Sequence, residues 1–102
     1  MKQPFHPNIN DINLTSVLYA LSDPTRLDIV TKLAKNKELS CNSLALTIPK
    51  STLSHHIKVL RESGLTNVRI EGTQHFYSLR NADLDVRFPG LLESIVDAAI
   101  HS

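Results

Sequence analysis

The chain has 102 residues, a single cysteine and a formal net charge of +1, with eleven Lys and Arg against ten Asp and Glu. That length fits one domain with a small core, and the lone Cys41 excludes an internal disulfide or a cysteine-rich zinc site. The near balance of charge excludes a polybasic binder, and no apolar run is long enough to cross a bilayer. A cytoplasmic, soluble protein with no membrane partner is therefore expected.

Taken in chain order, Met1 to Asn10 is polar with two prolines. Residues 1–12 are expected to form a mobile segment, with 13–102 as the single domain. Asn13 to Leu21 reads as a helix, because Leu14, Val17, Leu18 and Leu21 recur at helical spacing on one face. Leu18 and Tyr19 extend its apolar surface beyond what a monomer core needs. Asp23 followed by Pro24 marks a second helix start: the carboxylate caps free N–H groups and the proline suits the first helical position. This helix runs to about Lys35, with Leu27, Val30, Leu33 and Ala34 expected inward. Glu38 and Leu39 then form a short extended piece.

The stretch from Leu44 to Leu65 organises the rest. Ser40 to Leu46 reads as a short helix capped by Ser40. Ser51 to Ser63 reads as a longer helix, with Ser51 or Pro49 as the first non-helical residue. Leu53, Ile57 and Leu60 fall on one stripe to be buried, against which Leu44, Ala45 and Ile48 can pack. The other faces carry Ser51, Thr52, Ser54, His55, Lys58 and Arg61, with one acid, Glu62, at the far end. A helix poor in acid over its first turns suits a surface of phosphates. Gly64 fits the left-handed position that ends a helix, and Leu65 can pack back on Leu60. Helix, tight turn, helix is the helix-turn-helix pattern, whose second helix enters the DNA major groove.

After Gly64 the period becomes two. Val68 and Ile70 alternate with Asn67, Arg69 and Glu71; Glu71 to Gln74 is a turn around Gly72; His75 to Leu79 returns as a second strand. A hairpin in this place is the wing of a winged helix. Asn81 is expected to cap a short turn at Ala82 to Arg87, and Pro89 to open a last helix ending near Ile100. Leu91, Leu92, Ile95, Val96, Ala99 and Ile100 make that helix apolar over more than half its girth. The first helix and a second subunit would cover it. Charge is uneven: residues 50–80 hold Lys50, Lys58, Arg61, Arg69 and Arg80 against Glu62 and Glu71, whereas residues 81–102 hold Arg87 against Asp83, Asp85, Glu93 and Asp97. One face for a polyanion and another for a partner fits this split, and so does an ordinary solvated surface.

LSDPTRLDIVTKLA, then KSTLSHHIKVLRESGL, then EGT with an aromatic return strand, resemble in that order the ArsR-type winged-helix repressors. The resemblance runs from about Ser16 to Ala99. It implies a mainly α fold with a small β-hairpin, a winged helix-turn-helix of order α-α-α-α-β-β-α. It also implies dimerisation through the terminal helices at 13–21 and 89–100, an imperfect palindrome in double-stranded DNA as partner, and repression. Lys50, Ser51, Thr52, Ser54, His55 and His56 occupy the family's recognition-helix positions, and Arg69, Gly72 and Thr73 the wing. Leu14, Val17, Leu18, Leu91, Leu92, Ile95, Val96 and Ala99 are the expected dimer contacts. Metal-sensing members carry a Cys-x-Cys where this chain has Ser40 and Asn42, with Cys41 between them. No metal or other cofactor is therefore assigned. Glu93, Asp97 and His101 are spaced along the last helix without the acid–histidine pattern of the other metal sites.

Each sharp reading has a plainer rival. His55 and His56 diverge by about 100° on a helix and cannot chelate one ion. His55 suits a phosphate or base edge, whereas His56 lies nearer the buried stripe and suits a structural bond. Ser54 beside His55 lacks an orienting acid and an oxyanion loop, so no enzyme is expected. Cys41 fits a buried structural role or a redox sensor, and His101 with Glu93 fits solvated side chains or a metal held across a dimer. The sequence thus points to a homodimeric DNA-binding repressor with an unknown effector. The alternatives are a metal- or thiol-responsive sensor of the same fold, or a winged-helix protein-interaction module that does not bind DNA.

Overall fold

In the computed structural model, which describes residues 4–44 and 48–102, side-chain caps set the first two helices. Helix α1 spans Leu14–Leu21 and starts where the Asn13 carboxamide oxygen accepts from the Ser16 N–H at 2.9 Å. Helix α2 spans Pro24–Lys35, and the Asp23 carboxylate accepts from the Arg26 N–H at 3.0 Å. Each cap satisfies a donor that a helix start leaves free. The buried stripe of α2 is Arg26, Ile29, Val30 and Leu33. Ala34, expected inward, is exposed, because the space in front of it is an open cleft that it lines with Leu92 and Val96. Val17, expected at a dimer contact, is 1% exposed and belongs to the subunit's own core with Ala20 and Leu21.

Strand β1 is only Leu39–Ser40. The segment expected as a helix over Ser40 to Leu46 is a 3-10 turn at Asn42–Leu44, where the Ser40 hydroxyl accepts from the Ser43 N–H. Ala45, Leu46 and Thr47 lie outside the described residues. Helix α3 spans Lys50–Glu62 with Pro49 as its N-cap, so the helix begins one residue earlier than Ser51. Leu53, Ile57 and Leu60 are buried as the periodicity requires.

Gly64 ends α3 at φ 92°. Its N–H donates to the Arg61 carbonyl and the Leu65 N–H to the Leu60 carbonyl, both at 3.1 Å. This is the paired bonding of a Schellman cap, and Leu65 is fully buried beside it. Strands β2 (Thr66–Glu71) and β3 (Gln74–Leu79) form the wing, joined by Gly72 and Thr73. β1 adds to the far side of β3, so the sheet is three-stranded in the order β1-β3-β2 rather than a lone hairpin.

Helix α4 spans Asn81–Arg87 and has Arg80, not Asn81, as its N-cap residue; no side-chain bond caps it. Helix α5 spans Leu91–Ile100. It starts two residues after Pro89, because Gly90 turns the chain at φ 77° before the helix can begin. α5 packs against α2 and α4, yet none of its residues is buried. No helix among the described residues is long and apolar enough to cross a membrane.

The beginning of the chain, expected as a mobile segment over residues 1–12, packs on the rest of the domain. Ile12 is in the core, Pro7 is buried, and Ile9–Asp11 form a 3-10 turn. The Pro7 carbonyl accepts from Arg80 and the Ile12 carbonyl from Arg87. Met1, Lys2 and Gln3 lie outside the described residues.

Candidate nucleic-acid interface

Burial of Leu53, Ile57 and Leu60 fixes the rotation of α3. Lys50, Ser51, Thr52, Ser54, His55 and Lys58 are consequently all exposed, and no acid interrupts that surface before Glu62. These are donors and cations on a rigid element, the chemistry that phosphates and base edges accept. Beside the first turns of α3 lies the wing. Between them is a groove of about 410 Å³ lined by Lys50, Ser54, Asn42, Thr73, Gln74 and His75, among others. Asn42, Gln74 and His75 were not singled out from the sequence. Gln74 and His75 follow the Gly72 turn directly, so their place at the wing tip was a usable signal.

Gly72 has φ 62°, and a Cβ there would meet nothing within 4 Å. Its role is the two-residue turn itself, with Glu71 paired to Gln74 across it. Thr73 is exposed at the same tip. Cys41 is half-buried on the wall of the groove, and its N–H donates to the His75 carbonyl. Tyr77, also on that wall, has its hydroxyl pKa pushed up, chiefly by burial.

Two residues expected at the interface are otherwise engaged. The His56 side chain is 12% exposed and its Nδ1 lies 3.2 Å from Nη1 of the buried Arg26. Guanidinium can only donate, so His56 accepts. The next element behind is Asp23, at 3.9 Å. Helical geometry turns His56 about 100° from His55, towards α2 and away from the presented face. Arg69 is exposed, but it donates from Nε and Nη2 to Glu38 at 3.1 and 2.8 Å and from Nη1 to Glu71, above the Phe76 ring. These bonds raise the Arg69 pKa further and hold the Glu38 carboxyl below its usual value. Arg69 thus ties the wing to the start of β1 and is not an unpaired cation at the wing tip.

The apolar residues expected at a subunit contact form another surface. Leu14 and Leu18 are 43% and 44% exposed and Tyr19 is 65% exposed. On α5, Leu91, Leu92, Ile95, Val96 and Ala99 are half-buried. Among the described residues, no three His, Cys, Asp or Glu side chains gather as metal ligands.

A family described as a helix-turn-helix domain matches residues 21–69. YceK of Bacillus subtilis, named an uncharacterised HTH-type transcriptional regulator, is 40% identical over 82 residues, covering 78% of this chain and 82% of that protein. An arsenical resistance operon repressor of Staphylococcus xylosus is 37% identical over 73 residues, or 71% of this chain and 70% of that one. An ArsR-like transcriptional regulator from Rhodococcus sp. RHA1 has a similar structure, with a TM-score of 0.62 at 28% identity over 85% of each chain.

Proposed function

The chain belongs to the ArsR-type winged helix-turn-helix transcriptional regulators, and from that premise we propose that it is a cytoplasmic homodimer that represses a promoter by binding a palindromic operator. DNA binding and transcription regulation come with the family. The observation that carries the rest is the acid-free face of α3, exposed from Lys50 to Lys58 and set beside the wing. In this reading residues 13–102, with the packed segment before them, act as one domain, and each subunit lays α3 in a major groove. Lys50 and His55 reach base edges. Lys58 and the hydroxyls of Ser51, Thr52 and Ser54 hold phosphates, and the backbone at Gly72 with Thr73 touches the duplex from the wing. The protein works as a regulator and carries out no reaction of its own.

Selection from a random duplex library, followed by footprinting, tests the operator. Two protected half-sites related by a two-fold axis are expected, about one helical turn apart or more. A single unpaired site would overturn the dimeric reading. Two substitutions separate the proposed roles. Lys58→Ala should weaken binding to every duplex and reduce the slope of log K against log salt by about 1, as loss of one phosphate contact does. Lys50→Ala should instead relax preference at one base pair, with a cost of about 1–3 kcal/mol confined to the cognate sequence. Equal losses on all duplexes would remove Lys50 from base reading.

The dimer is supported by the apolar stripe of α5, which the subunit's own core only half buries, and by the exposed Leu14, Leu18 and Tyr19 of α1. Patches of this kind on a small domain mark association surfaces. A charge at either should be incompatible with a buried seam. Leu18→Glu and Ile95→Glu are each expected to halve the solution mass seen by sedimentation equilibrium while leaving the helical circular dichroism in place. An unchanged mass in both variants would move the subunit contact elsewhere.

A further inference from the structure

β2 is an edge strand, and an edge strand presents unpaired backbone groups outward. At Val68 that group is not free. Its N–H donates to Nε2 of His6 at 3.1 Å, across 62 positions of sequence. The neighbouring Phe5 carbonyl accepts from Arg61 Nε, on the last turn of α3, at 2.9 Å. The Pro7 carbonyl accepts from Arg80 Nη1 at 2.8 Å. Ile12, where the segment enters the core, accepts from Arg87 at 2.6 and 3.2 Å. Three consecutive residues therefore join the end of α3, the open edge of the wing and the β3–α4 junction.

We propose that residues 4–12 are a strap that fixes the angle between the recognition helix and the wing, and that protonation of His6 releases it and weakens operator binding. The device rests on the contact of α3 and the wing with the duplex argued above. Its chemistry is simple. A neutral imidazole has one acceptor nitrogen; an imidazolium has none. Protonation at Nε2 would place an N–H against the Val68 N–H. The charged groups facing His6 are Arg61 from α3 and Arg80 from the β3–α4 junction, with Asp83 of α4 paired to Arg80 at 2.9 Å. From β2 the facing group is the neutral Val68 amide.

Burial, then the charges of Arg61 and Arg80, hold the His6 pKa below its ordinary 6.5, while the Pro4 carbonyl pulls the other way. The fold therefore selects neutral His6. Its contribution is complete above 6.5 and is lost as pH falls through the lower folded value. Histidines beside a duplex act in the opposite direction, since added positive charge tightens binding to phosphate. A protein altered only at His6 keeps His55, His56 and His75, so comparison with it isolates the strap.

The test compares the full chain with His6→Gln, whose side-chain oxygen can accept from Val68 at any pH. Binding to the duplex recovered by selection is measured from about pH 8 to pH 5, and the Val68 amide is followed by 15N–1H correlation in the free protein. The two proteins should bind equally at the upper end. The wild type should fall behind by about three- to tenfold at the lower end, the worth of one hydrogen bond. All other histidines are the same in both proteins and cancel in the ratio. The Val68 amide should titrate in the wild type and stay fixed in His6→Gln. A flat affinity ratio, or a Val68 amide indifferent to pH in the wild type, would overturn the proposal. A duplex selection that recovers nothing would overturn the operator reading instead, and the Val68 titration would then decide the strap alone.

Discussion

Gly64→Ala is expected to lose about 2–4 kcal/mol of stability, or roughly 10–25 °C in Tm for a domain of this size. Two independent costs combine. The first is conformational. Gly64 sits at φ 92°, where a side chain adds about 1–2 kcal/mol of strain. The second is steric. A Cβ at this position would lie 2.6 Å from Cγ1 and 2.8 Å from Cδ1 of Ile12. Ile12 has little room to yield, since it is 1% exposed and its carbonyl is held by Arg87. Forcing extra volume into such a site costs about 1–3 kcal/mol. Gly72→Ala separates the two costs. It also stands at positive φ, but with nothing within 4 Å of the new carbon, so it should lose only about 1 kcal/mol. A Gly64→Ala, Ile12→Ala double variant should be more stable than the sum of its parts by about 1 kcal/mol or more, because the clash is removed once. Melting is followed at one fixed protein concentration, as dimerisation would make Tm depend on it. Equal losses at Gly64 and Gly72 would show that Ile12 is not the obstacle.

The helices and the wing were legible because each rests on a local pattern. The stripe Leu53, Ile57, Leu60 needs only the helical repeat, the Asp23–Pro24 start only the chemistry of free N–H groups, and the Gly64–Leu65 end only a residue tolerant of positive φ. These same local patterns place most of the proposed interface residues on one exposed face, since burying one side of α3 exposes the other. What escaped depends on partners distant in sequence. β1 has two residues, too few to show a period of two, and pairs with Tyr77 and Phe76. Arg69 has one acid two positions along and another 31 positions back; only the first could be suspected from strand spacing. The packing of residues 4–12 uses backbone carbonyls as acceptors, and every residue has one, so composition gives no sign of it. The last helix begins two residues after Pro89, the kind of boundary a left-handed Gly90 decides and periodicity does not.

Arg26→Met is expected to cost about 2–4 kcal/mol, since it removes charge-assisted hydrogen bonds and leaves a buried carbonyl without its donor. Arg26 is 5% exposed and joins its own helix α2 to two others. Its Nε donates to the Ala20 carbonyl at 2.7 Å and its Nη2 to the Tyr19 carbonyl at 3.4 Å, both on the last turn of α1. Those carbonyls carry the negative end of the helix, so a fixed cation there is favourable. Its Nη1 donates to His56 on α3, and its own N–H is the one Asp23 caps. Methionine would keep much of the apolar stem and remove every one of these side-chain donors. The Ala20 carbonyl would then be buried without its donor, which costs more than an unmade bond at the surface. Arg26→Lys keeps the charge but not the planar fork, so it can serve one of the three acceptors and should recover less than half of the loss. The same network braces α3 from behind. Operator affinity should therefore fall in both variants even at temperatures where circular dichroism reports the fold intact, and more in Arg26→Met. Urea unfolding with an unchanged m-value checks the stability term, and binding to the selected duplex checks the brace. Were Arg26→Met to lose stability yet bind DNA as the wild type does, His56 would be a passenger of the core, and the orientation of α3 would rest on Leu53, Ile57 and Leu60 alone.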